Sequence, residues 1–491
     1  MPDTIMVNIM AKHSQNPTQP ETDHSRPIPA RVSEECGLLH RLFSPVDIGL
    51  LVFFRIAFGG IMFWEMMRFC VHDWVQTHFI DPEMHFTYYG FGWVHPWPGI
   101  GMHVHVYVLA ALALSIVLGL FYRVATVLFC LGITYLFLID QALYLNHLYL
   151  ICLVSFLLIF IPAHRIFSLD VLRNPQIRSE TAPAWTLWIL RGQVGMAYFF
   201  GGIAKLDTDW LSGQPMRMML ARRADRFPII SEYMLEDATV YFFAYGGLLF
   251  DLLIVPLLLW RRTRVAAYVL AVLFNMTNNW MFNIGIFPVM MIVGTLLYFP
   301  PERLRDRRKA ANSGVAAAKS PLASSPPRPL QLATAAFLSV YILVQVLVPF
   351  RHFLYPGNVN WTEEGHRFSW HMKLRVKRAF AEFFAYDREG RQLAVAPLDT
   401  RVTSRQLRVM PGRPDMVLQY SHFLFRELDK QDRDPYAIQA VVQVSLNGRV
   451  PQLLIDPNVN LAAQARNLRH AEWIVPLTEP LPTNWTPPPI E

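Results

Sequence analysis

The sequence contains few charged residues and few cysteines. Charged side chains make up 16% of its 491 residues, against roughly 25% in an average soluble chain. The four cysteines, Cys36, Cys70, Cys130 and Cys152, form no CxxC pair and follow no spacing typical of zinc ligands. We therefore expect neither a disulfide framework nor a bound metal.

The chain also lacks a recognisable signal peptide and a nucleic-acid-binding motif. Residues 1–40 are polar and contain no apolar core of the kind that a signal peptide needs. We interpret residues 1–43 as a disordered cytoplasmic tail. The net charge is +7, and the basic residues lie mostly in short loops, which suits membrane topology better than nucleic-acid binding.

Long apolar runs dominate the rest of the chain, where a membrane span needs roughly 20 residues. Segments of that length, or nearly so, occur at about 46–67, 104–121, 124–140, 147–163, 185–204, 238–260, 265–281, 283–299 and 331–350. They predict a polytopic α-helical membrane protein with about nine transmembrane helices. We expect a bundle over residues 44–300, a cytoplasmic linker rich in proline and serine over 301–330, and a last helix at 331–350.

Basic residues in alternate connections indicate the orientation of the chain. If the N-terminus is cytoplasmic, most arginines fall in connections predicted to lie inside, as the positive-inside rule requires. These include Arg123, Arg165, Arg173, Arg178, Arg261, Arg262 and Arg264. An odd number of spans then places residues 351–491 on the far side of the membrane, periplasmic or lumenal.

One connection breaks this rule. Residues 205–237 are predicted to lie outside, yet contain several basic residues, namely Lys205, Arg217, Arg222, Arg223 and Arg226. Either the topology is miscounted, or the segment is a solvated amphipathic helix, or it is a basic surface beside a site that handles anions such as carboxylates.

Residues 351–491 differ in composition from the apolar segments. Lys373–Ala396 and Ala440–Ile455 are typical of β-hairpins, the second with a turn at Asn447-Gly448. The stretch 403–430 between them is predicted to be helical. We expect a small, β-rich α+β soluble domain.

Lys205 is the strongest candidate for chemistry. It ends an apolar segment and precedes Asp207, Asp209 and Trp210. A lysine at the edge of the hydrocarbon can lose its charge and act as a base, because burial favours the neutral amine. Two alternatives remain: a lysine that snorkels to the surface, or one that the two aspartates hold in its charged state.

Other polar residues interrupt apolar segments. His147 follows Asn146 at the start of one; it could donate a hydrogen bond or pass a proton, or be an interfacial histidine satisfied by water. Arg191 and Gln193 lie within another and form either a polar clamp between helices or part of a site.

The remaining candidates are amides, aromatic residues and a histidine. Asn275 and Asn278 belong to an amide-rich patch that either packs helices together or lines a cavity for a quinone or a peptide. Trp361 and Trp370 are interpreted as interfacial residues, or alternatively as the entrance for a hydrophobic ligand. Asp207, Trp210 and His352 complete the set of binding candidates.

Several of these motifs together resemble the vitamin K-dependent gamma-glutamyl carboxylase family, which belongs to the horizontally transferred transmembrane domain proteins. They are Ser44–Arg55, Asn146-His147, Leu190–Gln193, Lys205–Trp210, Phe282–Phe287, Asn360–Thr362 and Ser369-Trp370. The chain is shorter than the animal enzymes and lacks their lumenal cysteine pair, as expected of a bacterial-type form.

The resemblance implies an integral-membrane carboxylase with coupled epoxidase activity. Its co-substrates would be vitamin K hydroquinone, O₂ and CO₂, and its partners the lipid bilayer and a glutamate-containing peptide or protein. Lys205 matches the base that deprotonates the hydroquinone, and His147 matches a histidine assigned to the glutamate half of the reaction. Alternatives are an epoxidase that has lost carboxylation, and a transporter or lipid-binding protein on the same fold.

Overall fold

The computed structural model describes residues 37–301, 326–482 and 485. Most of the predicted tail (1–43) and linker (301–330) lies outside these residues, at 1–36 and 302–325. Residues 38–43, which we assigned to the tail, instead form helix α1 (Leu38–Phe43), with Phe43 buried. The helix packs against the bundle, and burial of its one large aromatic side chain accounts for its order.

Each of the nine predicted apolar segments coincides with a helix. These helices are α2 (Gly49–Val71), α3 (Gly101–Leu118), α4 (Tyr122–Ile139), α5 (Asn146–Phe160), α7 (Ala184–Ile203), α11 (Asp237–Leu259), α12 (Arg264–Phe282), α13 (Phe287–Leu296) and α14 (Arg328–Phe350). Shorter elements connect them: β1 (Pro45–Asp47), α6 (Leu169–Arg173), β2 (Thr181–Pro183), α8 (Thr208–Leu211), α9 (Gln214–Ala224) and α10 (Ser231–Met234).

The helical membrane fold is confirmed, whereas the count of nine spans remains a prediction. In the described ranges, six helices are long and apolar enough to cross a membrane. Helices α5 and α13 are apolar but have only 15 and 10 residues. Helix α7 has 20 residues, but Arg191 and Gln193 near its middle make it more polar than the six.

A buried arginine ties the helices together at one end of the bundle. The Arg55 guanidinium donates to the carbonyl oxygens of Ala163, Val117 and Phe167, at 3.1, 3.2 and 2.6 Å. Gly119 ends α3 beside it with φ 61°, and an added Cβ there would lie 2.4 Å from the Ser168 Cβ. Only glycine fits this turn, because both the left-handed backbone and the close approach exclude a side chain.

In the described ranges, the soluble domain is a four-stranded antiparallel sheet with one long helix packed on one face. The strand order is β4-β3-β5-β6, from β3 (Lys377–Tyr386), β4 (Gln392–Leu393), β5 (Ala437–Leu446) and β6 (Gln452–Leu453). The helices of the domain are α15 (Val359–Thr362), α16 (Ser404–Val409) and α17 (Pro414–Lys430). Alternate residues of β5 are fully buried in the same cluster as one face of α17, as expected for a half-covered sheet. Both predicted hairpins and the predicted helical stretch are present.

The soluble domain covers the end of the bundle opposite Arg55. Helix ends and turns from the bundle meet residues 371–377 and 405–413 of the soluble domain there, around one large cavity. The bundle contributes the end of α2, the start of α5 and the turn between α12 and α13. The fold therefore places its main cavity at the boundary between its two parts.

Candidate functional site

Lys205 lies just beyond the last turn of α7 and is 7% exposed. Its ammonium donates to the Asp251 Oδ2 of α11 at 2.5 Å and to the Gly201 carbonyl oxygen at 3.1 Å. The two helices approach closely at Gly202, where an added Cβ would lie 2.7 Å from the Leu252 Cδ2. Asp251, rather than Asp207 or Asp209, is thus the carboxylate that pairs with the lysine.

Lys205 faces a small cavity of about 100 Å³. Its polar lining includes Tyr198, Asn275 and Asn278, and Asn275 donates to the Tyr198 hydroxyl at 3.3 Å. The Trp210 ring centroid lies 5.5 Å from the Lys205 Nζ, and its indole N–H donates to the Ala244 carbonyl oxygen at 2.9 Å. The other walls are largely apolar: Met216, Met219, Phe243, Phe274, Phe282, Ile284, Phe287, Pro288, Met291 and Met372.

A second, larger cavity of about 780 Å³ contains Asn146 and His147. The His147 ring lies 5.9 Å from that of Phe287. Asn146 accepts from the Tyr144 hydroxyl at 2.9 Å and donates to the His371 carbonyl oxygen at 3.0 Å. Asn146 therefore joins the bundle to the soluble domain at the rim of this cavity.

The larger cavity carries an excess of positive charge. Its lining contains seven cationic residues: Arg68, Lys373, Arg375, Lys377, Arg405, Arg408 and Arg413. Among the described residues of this lining, two carboxylates accompany them, and both are paired. Glu65 binds Arg68 at 2.7 Å, and Glu363 binds Arg375 at 2.7 Å and Lys377 at 2.8 Å. The unmatched cations create a field that attracts anions, and the low-dielectric walls strengthen it.

Burial and neighbouring charges set the protonation of this lining. Burial alone would raise the pKa of Glu363, but the Arg375, Lys377 and Arg413 charges hold that pKa at about 2. Burial lowers the pKa of Lys377 to about 8, although the Glu363 carboxylate opposes the shift. The pKa of His371 falls to about 3 through burial and the nearby His352 and Arg375. At neutral pH, Glu363 is ionised and His371 is neutral.

The two cavities adjoin. Ile284 and Phe287 of the α12–α13 region, together with Met372 and Lys373 of the soluble domain, line both of them. A few side chains thus separate the space in front of Lys205 from the space in front of His147.

The structure brings together only part of the predicted site. Lys205, Trp210, Asn275 and Asn278 line the small cavity, and Asn146 and His147 line the large one. Six candidates fall outside both linings: Arg191, Gln193, Asp207, His352, Trp361 and Trp370.

Those outlying candidates have visible packing roles. Arg191 donates to the carbonyl oxygens of Leu297 and Phe299, and the Tyr341 hydroxyl donates to the Gln193 side-chain oxygen at 2.6 Å. These bonds link α7 to the residues after α13 and to α14, as a polar clamp between helices would. The Asp207 side chain caps α8 by accepting from the Asp209 N–H at 3.0 Å.

The two tryptophans are core residues. Trp361 is fully buried in the soluble domain, where its indole N–H donates to the Val475 carbonyl oxygen at 2.7 Å. Trp370 is fully buried in the bundle core. Neither is positioned as an interfacial belt or as the entrance for a ligand. The His352 Nδ1–H donates to the Pro349 carbonyl oxygen at 2.8 Å, and the His352 ring lies edge-on to that of His371.

Asp251 is noticeable in the sequence as a polar residue inside an apolar segment, but its pairing with Lys205 and the cationic lining from the soluble domain were not predicted. The alternation Lys373-Leu374-Arg375-Val376-Lys377 was a usable signal, since it places three cations on one side of an extended segment. Our sequence analysis assigns this stretch to the start of a hairpin and gives it no part in a site. In the structure, Leu374 and Val376 are buried and the three cations line the large cavity.

Two known families match the chain, one over each of its two parts. The HTTM domain family matches residues 43–302, which is just over half of the chain. The vitamin K-dependent gamma-carboxylase lumenal domain matches residues 330–480. The chain belongs to the gamma-carboxylase family. No solved structure matches it.

In this gamma-carboxylase family member, the two matched regions meet at the cavities. The small cavity draws Lys205 and Asp251 from the first region and Met372 and Lys373 from the second. Within residues 37–301, 326–482 and 485, no cluster of three or more histidine, cysteine, aspartate or glutamate side chains could hold a metal ion.

Proposed function

We propose that this protein carboxylates glutamate side chains of peptides in a reaction coupled to the epoxidation of vitamin K hydroquinone, with O₂ and CO₂ as co-substrates. The observation that carries the proposal is the contact between the two cavities. One presents a buried lysine among apolar walls, and the other presents a histidine among cations. This arrangement suits two coupled half-reactions on substrates of opposite polarity.

The small cavity suits an aromatic, lipid-soluble co-substrate. Its apolar walls can hold a ring system, while Lys205, Asn275 and Asn278 offer polar contacts to ring oxygens. When bound, reduced vitamin K together with O₂ supplies a base strong enough to remove a γ-proton of glutamate. The dry walls protect that base from water.

Lys205 can act as a base only after its ammonium group has given up a proton. The Asp251 carboxylate lies 2.5 Å from the amine and is the nearest acceptor. Transfer of one proton from Lys205 to Asp251 leaves a neutral amine beside a neutral acid, which removes the cost of keeping two charges buried in a low-dielectric site. The neutral amine can then accept a proton from a phenolic hydroxyl in the cavity.

The larger cavity suits the glutamate. Its unmatched cations, Lys373, Arg405, Arg408 and Arg413, can bind the γ-carboxylate. His147 lies in the larger cavity and packs near Phe287, which lines both cavities. A neutral imidazole there can donate a hydrogen bond to an anion or carry away a proton.

The proposal is tested by assaying the purified protein with vitamin K hydroquinone, O₂, ¹⁴C-labelled bicarbonate and a short glutamate peptide. We expect both epoxide and acid-stable label in the peptide. Epoxide without fixed label would identify an epoxidase that has lost carboxylation. If a folded protein formed neither product, both enzymatic functions would be excluded and a transporter or lipid-binding role would be left.

A further inference from the structure

A buried ion pair links the Lys205 motif to the soluble domain. Asp209 of α8 is 3% exposed and Arg449 is 8% exposed. The guanidinium donates twice to the carboxylate, Nη1 to Oδ2 at 2.6 Å and Nη2 to Oδ1 at 2.8 Å. Two parallel bonds fix orientation as well as distance, unlike a single contact.

Asn447 extends this contact to a second segment of the soluble domain. Its side-chain amide donates to the Asp209 Oδ2 at 2.7 Å, and its side-chain oxygen accepts from the Val376 N–H at 2.8 Å. The Asn447 N–H also donates to the Val376 carbonyl oxygen at 2.9 Å. Asn447 and Gly448 both have positive φ, 53° and 83°, so this is the tight turn of the β5–β6 hairpin.

Each side of this cluster leads directly to one cavity. Asp209 precedes Trp210, whose ring lies over the Lys205 ammonium. Val376 lies between Arg375 and Lys377, both of which line the larger cavity. The cluster is therefore a short covalent and hydrogen-bonded path from the lysine to the cationic lining.

Stability alone is a weak reason for such a pair. Removing two charges from water has a cost that their attraction often fails to exceed, and an apolar pair of similar volume would hold the domains together as well. An apolar contact would not, however, fix the register of residues 372–377 against α8. The bidentate geometry and the third bond from Asn447 specify that register.

We propose that Asp209, Asn447 and Arg449 form a latch that positions the segment 372–377 against the Lys205 motif, so that the yield of carboxylation per epoxide formed depends on it. The inference rests on the proposed function, and the three residues are positioning residues. With the latch broken, each cavity keeps its own groups, but the distance between the two bound substrates is no longer fixed.

The test compares Arg449→Gln with Arg391→Gln in the full chain. Arg391 also binds an aspartate, Asp387, at a hairpin turn of the same sheet, but its side chain is 75% exposed. For Arg449→Gln we expect the ratio of fixed label to epoxide to fall roughly 10-fold, because small misplacements of reacting groups are costly. We expect Arg391→Gln to keep the parent ratio.

Hydrogen–deuterium exchange gives a readout that needs no activity. In Arg449→Gln, amides of both 205–211 and 372–377 should exchange faster than in the parent and in Arg391→Gln. The latch would be overturned if folded Arg449→Gln kept the parent ratio of fixed label to epoxide. It would also be overturned if faster exchange were confined to the turn at 447–449. If the parent makes neither product, the proposed function fails while exchange still decides the latch. If Arg449→Gln does not fold, Arg449→Lys, which keeps the charge but loses the paired bonds, takes its place.

Discussion

Lys205 and Asp251 are 46 residues apart in the chain and share a 2.5 Å hydrogen bond inside the protein. The pair determines where a proton can rest in the small cavity. A buried ammonium without its carboxylate carries an uncompensated charge, which is more costly than the paired state. The function of Lys205 therefore depends on Asp251.

We predict that Asp251→Asn lowers the rate of epoxide formation by roughly 100-fold, as expected when a proton-transfer partner is lost. The matched control is Asp237→Asn, on the same helix, where the Asp237 side chain is 75% exposed and pairs with Arg217. Epoxide release by the two variants is measured by chromatography. Equal rates in both variants would remove Asp251 from the mechanism.

We predict that His147→Ala reduces carboxylation roughly 100-fold and epoxidation much less, because a general acid–base group acts on one half-reaction. The matched control is His105→Ala, since His105 belongs to α3, lies outside both cavities and binds the Gly132 carbonyl oxygen. Label fixation and epoxide are measured in the same reaction. Equal losses of both products would contradict the assigned role.

At this scale the sequence indicates one member of the pair and not the other. Lys205 is a lone cation at the end of an apolar run, and it is noticeable because a charged side chain is costly in a membrane. Asp251 lies inside another apolar helix, and no local spacing connects it to Lys205. The two meet only through the packing of α7 on α11, which a single sequence does not show.

At the scale of elements, the segment 372–377 has the largest effect on the site. It leaves the bundle core at Trp370, lines both cavities and then becomes β3. Local pattern predicted the hairpin, because alternation and turn residues are local signals. It did not predict that the residues before the strand reach the bundle, since that depends on how the two parts dock.

We predict that Lys373→Gln raises the KM for the glutamate peptide roughly 10-fold, about 1.4 kcal/mol, with a smaller change in kcat. Lys373 lines both cavities, and it has no carboxylate partner among the described ion pairs. Arg378→Gln is the control, because Arg378 is the next basic side chain beyond Lys377 and is exposed. A KM equal to that of the control would exclude the cationic lining from substrate binding.

Glu363 gives a prediction for stability against pH. Its pKa in the folded protein is about 2, below the ordinary value of 4.5. The ionised form thus stabilises the fold above pH 4.5, by an amount on the order of 3 kcal/mol, and this contribution is lost as the pH falls toward 2. Thermal unfolding of Glu363→Gln should show a lower Tm at pH 7 and a weaker loss of Tm over that window. An unchanged pH dependence would contradict the ion-pair assignment.

At the scale of the whole molecule, the helical bundle has two different ends. Arg55 joins helix ends at one end of the bundle, and the cavities and soluble domain occupy the other. The order of apolar segments predicted this architecture well, because span length and composition are read directly from sequence. For the short helices α5 and α13, length alone does not decide whether they cross the membrane.

We predict that Gln176→Cys and Asp429→Cys are labelled from opposite sides of the membrane. Both positions are exposed, and five predicted spans separate them. A membrane-impermeant thiol reagent is applied to sealed membrane vesicles whose periplasmic or lumenal face is outward, before and after permeabilisation, with the parent chain as background. Gln176→Cys should require permeabilisation and Asp429→Cys should not. Labelling of both from the same side would contradict the proposed orientation.

The most direct test of the whole account is the epoxide yield of Lys205→Ala under the full reaction conditions, beside the parent chain. We predict that the variant folds, retains its soluble domain and forms no epoxide and no carboxylated glutamate. Epoxide formation at the parent rate would contradict the central claim that Lys205 is the base.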